Sequence, residues 1–220
     1  MDNLVLVIGN KAYSSWSLRP WLALRMTGAP FREVVIPLRQ PETKEAILRH
    51  SPGGQVPVLH DDEITVWESI AILEYLAERF PDARLWPPEP HARAVARAVS
   101  AEMHAGFTAL RSNMMMNVRR LLPGRGRTPE VVHDIARITA LWRECRGRFG
   151  EGGPFLFGHF TNADAMFAPV ATRFHTYGVE GDLDDVSRAY AATLLSLPAM
   201  QQWYAEANEE SWSIPQFEAE

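Results

Sequence analysis

The sequence predicts an α/β unit followed by an all-helical unit. The first eighty residues alternate short aliphatic segments, typical of buried strands, with longer segments of helical periodicity. After a stiff, proline-rich stretch at residues 86–90, no further segment resembles a strand. The chain has 220 residues, which is enough for two small domains. We therefore expect an α/β domain over residues 1–81, a linker over 82–90 and a helical domain over 91–220.

The first three elements predict a βαβ unit. Residues 4–8 are short and aliphatic, and Gly9 follows them directly, as at the end of a buried strand. Residues 16–26 carry apolar side chains at helical spacings and stop before Gly28, a good helix C-cap. A second aliphatic strand is predicted over residues 31–38. Because a helix connects them, the two strands must be parallel.

The rest of the α/β unit is predicted as a helix, a hairpin and another helix. Residues 42–50 form the first, shorter helix. Two aliphatic stretches, 56–59 and 64–67, flank a tight Asp61-Asp62 link and predict an antiparallel hairpin. Over residues 68–80, apolar side chains recur at i, i+4 and i+8 until a proline ends the pattern. Helices therefore cover a small sheet.

The helical unit begins with a long apolar stripe. Apolar residues recur at helical intervals from Val95 to Met114, which predicts one continuous amphipathic helix. Thr128 and Pro129 are a good N-cap and first position for a second long helix, which reaches Phe149. Three further helices are predicted over residues 162–177, 185–195 and 199–208.

Charge and motifs exclude several classes of function. The 22 basic and 27 acidic residues give a net charge of −5, and no basic block could follow a phosphate backbone, so we expect no nucleic-acid partner. The sequence contains no G-x-x-x-x-G-K-[S/T], no G-x-G-x-x-G after the first strand, no H-E-x-x-H and no C-x-x-C. Its seven histidines are scattered. We therefore expect no bound metal and no nucleotide chemistry.

The cellular setting follows from apolar runs and cysteine content. No apolar stretch is long enough to span a bilayer, so we expect no membrane partner. Asp2 lies where a secretory signal would be basic. The single cysteine, Cys145, cannot form an internal disulfide. These features predict a reducing, cytoplasmic setting.

Two serines lie where the first strand meets the first helix. In an α/β sheet, ligands bind outside the carboxyl ends of strands, and a helix N-terminus there favours anions. The hydroxyl of Ser14 or Ser15 can donate to such an anion. The alternative is that one of them merely caps the helix.

Two features of the hairpin region suggest a site for an extended ligand. Pro57 stands inside an apolar strand, where proline removes a donor. It fits either an edge strand or a cis bond that turns the backbone of Val56 outward, free to pair with a peptide-like ligand. Glu68 and Ser69 start the next helix, where they could hold an ammonium and a carboxylate or be ordinary first-turn residues.

Together these motifs resemble the glutathione S-transferase family over nearly the whole chain. The resemblance rests on S-S-W-S-L-R at residues 14–19, Q-V-P-V-L at 55–59, E-S-I-A-I at 68–72 and T-N-A-D at 161–164. It is greatest for the serine-type classes, zeta and theta-like or a related bacterial class, although Trp16 stands where the zeta motif has cysteine. It implies a thioredoxin-like N-terminal domain, a C-terminal helical domain, glutathione as cosubstrate, a homodimer and a role in detoxification.

The resemblance assigns the glutathione site to the α/β unit. It implies a cis Pro57 and a backbone pairing between Val56 and the cysteinyl part of glutathione, with Gln55 assisting. Glu68 and Ser69 would hold the γ-glutamyl end. All five residues lie in the hairpin region or at the start of the helix that follows it.

The catalytic assignment follows from the same resemblance. The zeta-like pattern places its catalytic serine at Ser14, with Ser15 as the alternative. The hydroxyl would stabilise the glutathione thiolate, which attacks an electrophile without a general base. Arg19 would be structural or electrostatic support, and Cys145 a small buried hydrophobe rather than a nucleophile.

A second pocket, for a hydrophobic electrophile, is expected between the two domains. Methionine and aromatic side chains accommodate varied apolar shapes, and the long helix carries several. Most of this stripe should be helix core, so one or two of its candidates are expected to touch substrate. The candidates are Met103, His104, Phe107, Arg111, Met114 and Met115.

Other functions stay open on the sequence alone. A non-catalytic binding module of the same fold would need no thiol activation, and the retained motifs at Ser14, Val56 and Glu68 argue against it. A glutathione-dependent isomerase or etherase would share the same site. A thiol-transfer enzyme would need a cysteine near Ser14, and the sequence has none there. The T-N-A-D motif implies a capping box between Thr161 and Asp164, a folding element.

Overall fold

A computed structural model describes residues 4–218 and contains one sheet of four strands. The strands are β1 Leu4–Gly9, β2 Arg32–Ile36, β3 Val58–Asp61 and β4 Ile64–Trp67. Their order in the sheet is β2-β1-β3-β4. β1 and β2 are parallel, whereas β3 is antiparallel to both β1 and β4. The predicted βαβ unit and hairpin are confirmed.

Three helices belong to this thioredoxin-like α/β unit: α1 Ser15–Thr27, α2 Thr43–Leu48 and α3 Ser69–Arg79. Helix α1 ends at Gly28, whose φ of 73° is a left-handed conformation that glycine adopts readily. The hairpin is shorter than the sequence predicts. β3 starts only at Val58, because Pro57 has no N–H to give to a ladder.

The part of the described chain after β4 is helical, with no strand beyond isolated bridges up to residue 218. Short 3₁₀ turns lie at Pro81–Ala83 and Val179–Asp182. No helix within residues 4–218 is long and apolar enough to cross a membrane. The domain limits around residues 82–90 stay a prediction. The helices are α4 Pro90–Ala105, α5 Thr108–Asn113, α6 Pro129–Phe149, α7 Asn162–Thr176, α8 Asp185–Leu195, α9 Pro198–Glu209 and α10 Pro215–Glu218.

The prediction of one continuous helix through Met114 is wrong. The helix breaks between α4 and α5, where Gly106 is extended and Phe107 has a left-handed φ of 57°. Helix α5 restarts with the Leu110 N–H donating to the Asp134 carboxylate of α6 at 2.9 Å. Because Leu110 and Met114 are buried in the same core on both sides of the break, the apolar stripe continues and hides the interruption.

Helix α7 joins the two units. It packs against α1, α4 and α8, and nearly all of its residues are buried. At its start, the Asp164 carboxylate accepts hydrogen bonds from the Thr161 N–H at 2.7 Å and the Thr161 hydroxyl at 2.9 Å. This confirms the predicted capping box. At its other end, Arg173 donates to the Ser15 hydroxyl oxygen at 3.2 Å, which ties α7 to the first turn of α1.

Candidate active site

A cleft of about 720 Å³ opens between the α/β unit and helices α4 and α5. The loop after β1, the loop before β3 and the turn from β4 into α3 form one side. The ends of α4 and α5 form the other. The cleft brings together Ser14 and the five residues predicted to bind glutathione, Gln55, Val56, Pro57, Glu68 and Ser69, with His104 and Arg111 opposite.

Ser14 caps helix α1 and lines the cleft. Its hydroxyl oxygen accepts from the Ser17 N–H at 3.3 Å and lies 2.8 Å from the Ser17 hydroxyl. The Ser17 hydroxyl also accepts from the Gly9 N–H at 3.0 Å. Because hydroxyl protons rotate, Ser17 can donate to Ser14 and leave the Ser14 proton free for an anion in the cleft.

Ser15 points away from the cleft. Its side chain is buried against α7, where the hydroxyl oxygen is the acceptor for Arg173. Burial lowers the pKa of Arg173 to about 10, so the guanidinium remains charged at neutral pH. The two serines named by the sequence therefore have different surroundings: Ser14 faces the cleft and Ser15 holds the interface between α1 and α7.

The Val56-Pro57 bond is cis, as predicted. Val56 lies just before β3 and lines the cleft. Within residues 4–218, its main-chain N–H and C=O have no hydrogen-bond partner. An extended ligand can therefore pair with both groups in the manner of an added strand.

The turn from β4 into α3 carries two more polar groups suited to a ligand, the Glu68 carboxylate and the Ser69 hydroxyl. Glu68 has a φ of 69°, an unusual conformation for a non-glycine residue, of the kind often held at functional sites. Its side chain is 54% exposed, so the carboxylate is accessible. Ser69 begins α3, and its hydroxyl is buried without a partner among the described residues. Since a buried hydroxyl without a partner is costly, a ligand that accepts from Ser69 is favoured.

The wall of the cleft where α1 meets α4 and α5 is cationic and aromatic. The Trp16 ring lies 5.3 Å from the Arg111 guanidinium and 4.2 Å from that of Arg19, which is fully buried. His104 meets the Trp16 ring edge-on at 5.2 Å, and its Nε2 is 3.9 Å from the Glu68 carboxylate. This wall combines a planar apolar surface with positive charge.

Several nitrogens of this wall lack partners within residues 4–218. They are Nη1 and Nη2 of Arg19, Nε of Arg111 and Nδ1 of His104. Burial and the charges of Arg173 and Arg111 hold the pKa of Arg19 well below its usual value. Burial, then the charge of Arg19, lowers the pKa of His104, while Glu68 opposes the shift. The guanidinium nitrogens without hydrogen-bond partners favour an anion near this wall.

The other four candidates for the electrophile pocket do not line the cleft. Met103, Phe107 and Met114 are buried in the main core. Met115 is partly buried, and its carbonyl accepts from the Tyr177 hydroxyl at 2.9 Å. Two of the six candidates, His104 and Arg111, therefore line the cleft. Their contact with substrate stays a prediction.

Sequence reasoning missed several cleft residues, among them Trp16, Arg39 and Trp67. Trp16 could have been found, because it stands inside the serine motif on the first turn of α1. Nothing in the sequence around Arg39 indicated its position, since it follows a strand in an ordinary loop with a φ of 61°. Cys145 is buried as predicted, and burial raises its pKa to about 12, so it is a poor nucleophile.

A thioredoxin-like unit followed by a helical unit, with a cleft between them, is the architecture of the glutathione S-transferase fold. The sequence model of the glutathione S-transferase N-terminal domain matches residues 13–79, and that of the C-terminal domain matches residues 129–206. The chain is 30% identical to glutathione S-transferase GstB of Escherichia coli K12 over 172 residues, which are 74% of this chain and 73% of that protein.

The chain belongs to the glutathione S-transferase family and is an enzyme that uses glutathione as cosubstrate. It is also 26% identical to a probable maleylacetoacetate isomerase of Caenorhabditis elegans over 206 residues, 90% of this chain and 92% of that protein. A glutathione transferase homolog from Burkholderia gl BGR1, solved with bound glutathione, shares the fold. Its TM-score is 0.69 at 21% identity, covering 96% of this chain and 100% of that one.

Proposed function

We propose that the Ser14 hydroxyl stabilises the thiolate of glutathione and that this thiolate attacks an electrophile beside Trp16. The observation that carries the proposal is the position of Ser14: it lines the cleft at the N-terminus of α1, supported by Ser17, whereas Ser15 faces α7. In the reaction, the thiol gives its proton to solvent. The sulfur electron pair then forms the bond to carbon, and a leaving group or an opened π bond takes the displaced electrons.

The interaction energies available at Ser14 are sufficient to ionise the glutathione thiol at neutral pH. A thiol with pKa 8.5 is about 3% ionised at pH 7, and lowering the pKa by about two units makes it about three-quarters ionised, a difference of about 2.7 kcal/mol. One hydrogen bond to a charged group contributes about 1.5 to 3 kcal/mol, and a helix N-terminus about 0.3 to 1 kcal/mol. Ser14 with the start of α1 therefore suffices, and no general base is required.

Glutathione is proposed to lie along the α/β side of the cleft. The free N–H and C=O of Val56 pair with its cysteinyl residue, with Gln55 beside them. The open Ser69 hydroxyl donates to the γ-glutamyl carboxylate, and the exposed Glu68 carboxylate accepts from the ammonium. This placement directs the thiol towards Ser14.

The electrophile is proposed to lie against Trp16, with a choice between two chemical types. A neutral hydrophobic electrophile would use the apolar ring alone. A carboxylate-bearing electrophile, as in a glutathione-dependent isomerase, is supported by Arg111, which lines the cleft and whose Nε has no partner within residues 4–218. Comparing 1-chloro-2,4-dinitrobenzene with 4-chloro-3,5-dinitrobenzoate separates the two, because the second compound is a carboxylate analogue of the first.

The cellular role is proposed as conjugation of electrophiles, a detoxification function, in the cytoplasm and as a homodimer. Support for a homodimer comes from the edge strand β4, where Ile64 is 49% exposed and does not line the cleft. Light scattering measures the oligomeric state. A dimer in wild type and a monomer in Ile64→Glu would support the homodimer, whereas a monomeric wild type would contradict it.

Binding and turnover together test the role of Ser14. In Ser14→Ala, calorimetry should find glutathione still bound within about threefold of the wild-type affinity, because its proposed contacts lie elsewhere. The rate of conjugation should fall at least about tenfold. Lost binding would place Ser14 in ligand recognition instead, and an unchanged rate would refute its catalytic role.

A further inference from the structure

The loop that carries Ser14 into the cleft is held from its outer side by the C-terminal part of the chain. Residues 10–14 connect β1 to α1, and Lys11, Ala12 and Tyr13 are all buried. Buried main-chain groups need hydrogen-bond partners, because water does not reach them. Here most of those partners come from residues some two hundred positions later.

One carboxylate binds two consecutive N–H groups of this loop. Glu210 accepts from the Lys11 N–H at 2.6 Å with Oε1 and from the Ala12 N–H at 3.1 Å with Oε2. The indole N–H of Trp203 donates to the Lys11 carbonyl at 2.8 Å. The Ala12 carbonyl accepts from the Val118 N–H at 3.1 Å. Three of these four groups therefore depend on Trp203 and Glu210.

The next loop residue, Tyr13, is held by the same region. Its phenol hydroxyl hydrogen-bonds to Glu218 and Arg119. Its ring packs against Phe217, with ring centroids 5.4 Å apart. Arg119 also donates to the Glu210 carbonyl at 2.9 Å. The chain after α9 thus contacts every residue from Lys11 to Tyr13.

We propose that Glu210 is a positioning residue for Ser14. Glu210 does not line the cleft, but its two oxygens fix the peptide planes that lead into Lys11 and Ala12. Ser14 lies two residues after Ala12, and its N–H donates to the Asn10 carbonyl at 2.8 Å. A rotation of residues 10–14 would therefore move the Ser14 hydroxyl relative to the glutathione thiol, which other elements hold. This inference rests on the proposed role of Ser14.

The test is the pKa of the glutathione thiol bound to Glu210→Ala. This variant leaves two buried N–H groups unpaired, so we expect the thiol pKa to rise by about half a unit to one unit. We expect kcat to fall about three- to tenfold and the KM for glutathione to stay within about twofold, because misplacement affects the reacting group rather than the binding groups. Glu210→Gln keeps one acceptor and should be intermediate. The matched control is Glu209→Ala, which removes an exposed neighbouring glutamate.

A double variant separates positioning from a general loss of structure. Because Glu210 acts through Ser14, adding Glu210→Ala to Ser14→Ala should raise the thiol pKa no further. A lower melting temperature with an unchanged thiol pKa would overturn the proposal. Where Glu210→Ala does not fold, Glu210→Gln decides by the same criterion. An unchanged thiol pKa in Ser14→Ala alone would instead overturn the proposed function.

Discussion

The two sides of the cleft present different kinds of chemical groups. The side proposed to bind glutathione presents main-chain groups at Val56 and small hydroxyls at Ser14 and Ser69, all at the ends of strands and helices. The side proposed for the electrophile presents long side chains, chiefly Trp16 and Arg111, on helical turns. Backbone geometry is encoded by short motifs, whereas a side chain on a helix can change while the fold stays. The sequence motifs therefore predict the cosubstrate but do not predict the electrophile.

The largest effect expected from breaking the glutathione side is at Ser69. Ser69→Ala should weaken glutathione binding by about 1 to 3 kcal/mol, the usual cost of leaving a charged partner unpaired. Calorimetry measures the change. The matched control is Ser100→Ala, because Ser100 is another buried serine whose hydroxyl has no partner within residues 4–218, but it does not line the cleft. Equal affinities for the two variants would remove Ser69 from the glutathione site.

On the electrophile side, Arg111→Ala tests the charge of the wall. We expect kcat/KM for 4-chloro-3,5-dinitrobenzoate to fall about tenfold more than that for 1-chloro-2,4-dinitrobenzene, because only the first has a carboxylate to pair. Arg137→Ala is the control, since Arg137 pairs with Glu102 at 2.7 Å outside the cleft. If kcat/KM fell equally for both substrates, Arg111 would not be pairing with a carboxylate. Either the natural electrophile would then be neutral, or Arg111 would act elsewhere.

The variant Ser15→Ala tests whether the two neighbouring serines have different roles. This change removes a buried acceptor of Arg173, so the free energy of unfolding should fall by about 1 kcal/mol. Urea denaturation measures the loss. The thiol pKa of bound glutathione should not move, because Ser15 does not line the cleft. A raised thiol pKa would show that Ser15 shares the role assigned to Ser14.

The smallest expected effect is a pH dependence from His104. Its pKa lies below the usual value, so the imidazole is neutral at pH 7 and gains a proton only on acidification. The charged groups around it are Arg19, Arg111 and Glu68. Protonation adds positive charge, so binding of 3,5-dinitrobenzoate should tighten about twofold as the pH falls through the His104 pKa. In His104→Gln this dependence should vanish, and its persistence would assign it to another group.

The sequence predicts most of the fold because its signals are local. Strands β1 and β4, the start of α6 and the bounds of α8 follow from apolar spacing and caps such as Thr128. The break at Gly106 was missed. An apolar stripe reports which face is buried, and that face is the same before and after the break. Only the glycine itself, and the distant Asp134 that caps the restart, indicate it.

The residues of the site also divide into those that local sequence predicts and those whose positions depend on distant parts of the chain. Motif order places Ser14, Val56 and Ser69 in one cleft, since each lies at the end of a predicted element. It does not separate Ser14 from Ser15, because the difference depends on Arg173, 158 positions away from Ser15 in sequence. The hydrogen bonds from the Lys11 and Ala12 N–H groups to Glu210 are equally long-range. No local pattern carries such pairings, and only the assembled chain brings them together.

The Ser14 hydroxyl is proposed to control the ionisation of the glutathione thiol. The most direct measurement is the ultraviolet absorbance of the thiolate of bound glutathione, titrated against pH in wild type, Ser14→Ala and Ser15→Ala. We expect a titration midpoint about one to two pH units higher in Ser14→Ala, equivalent to about 1.4 to 2.7 kcal/mol. In Ser15→Ala we expect an unchanged midpoint. A midpoint that does not move in Ser14→Ala, with glutathione still bound, would contradict the proposed role of Ser14.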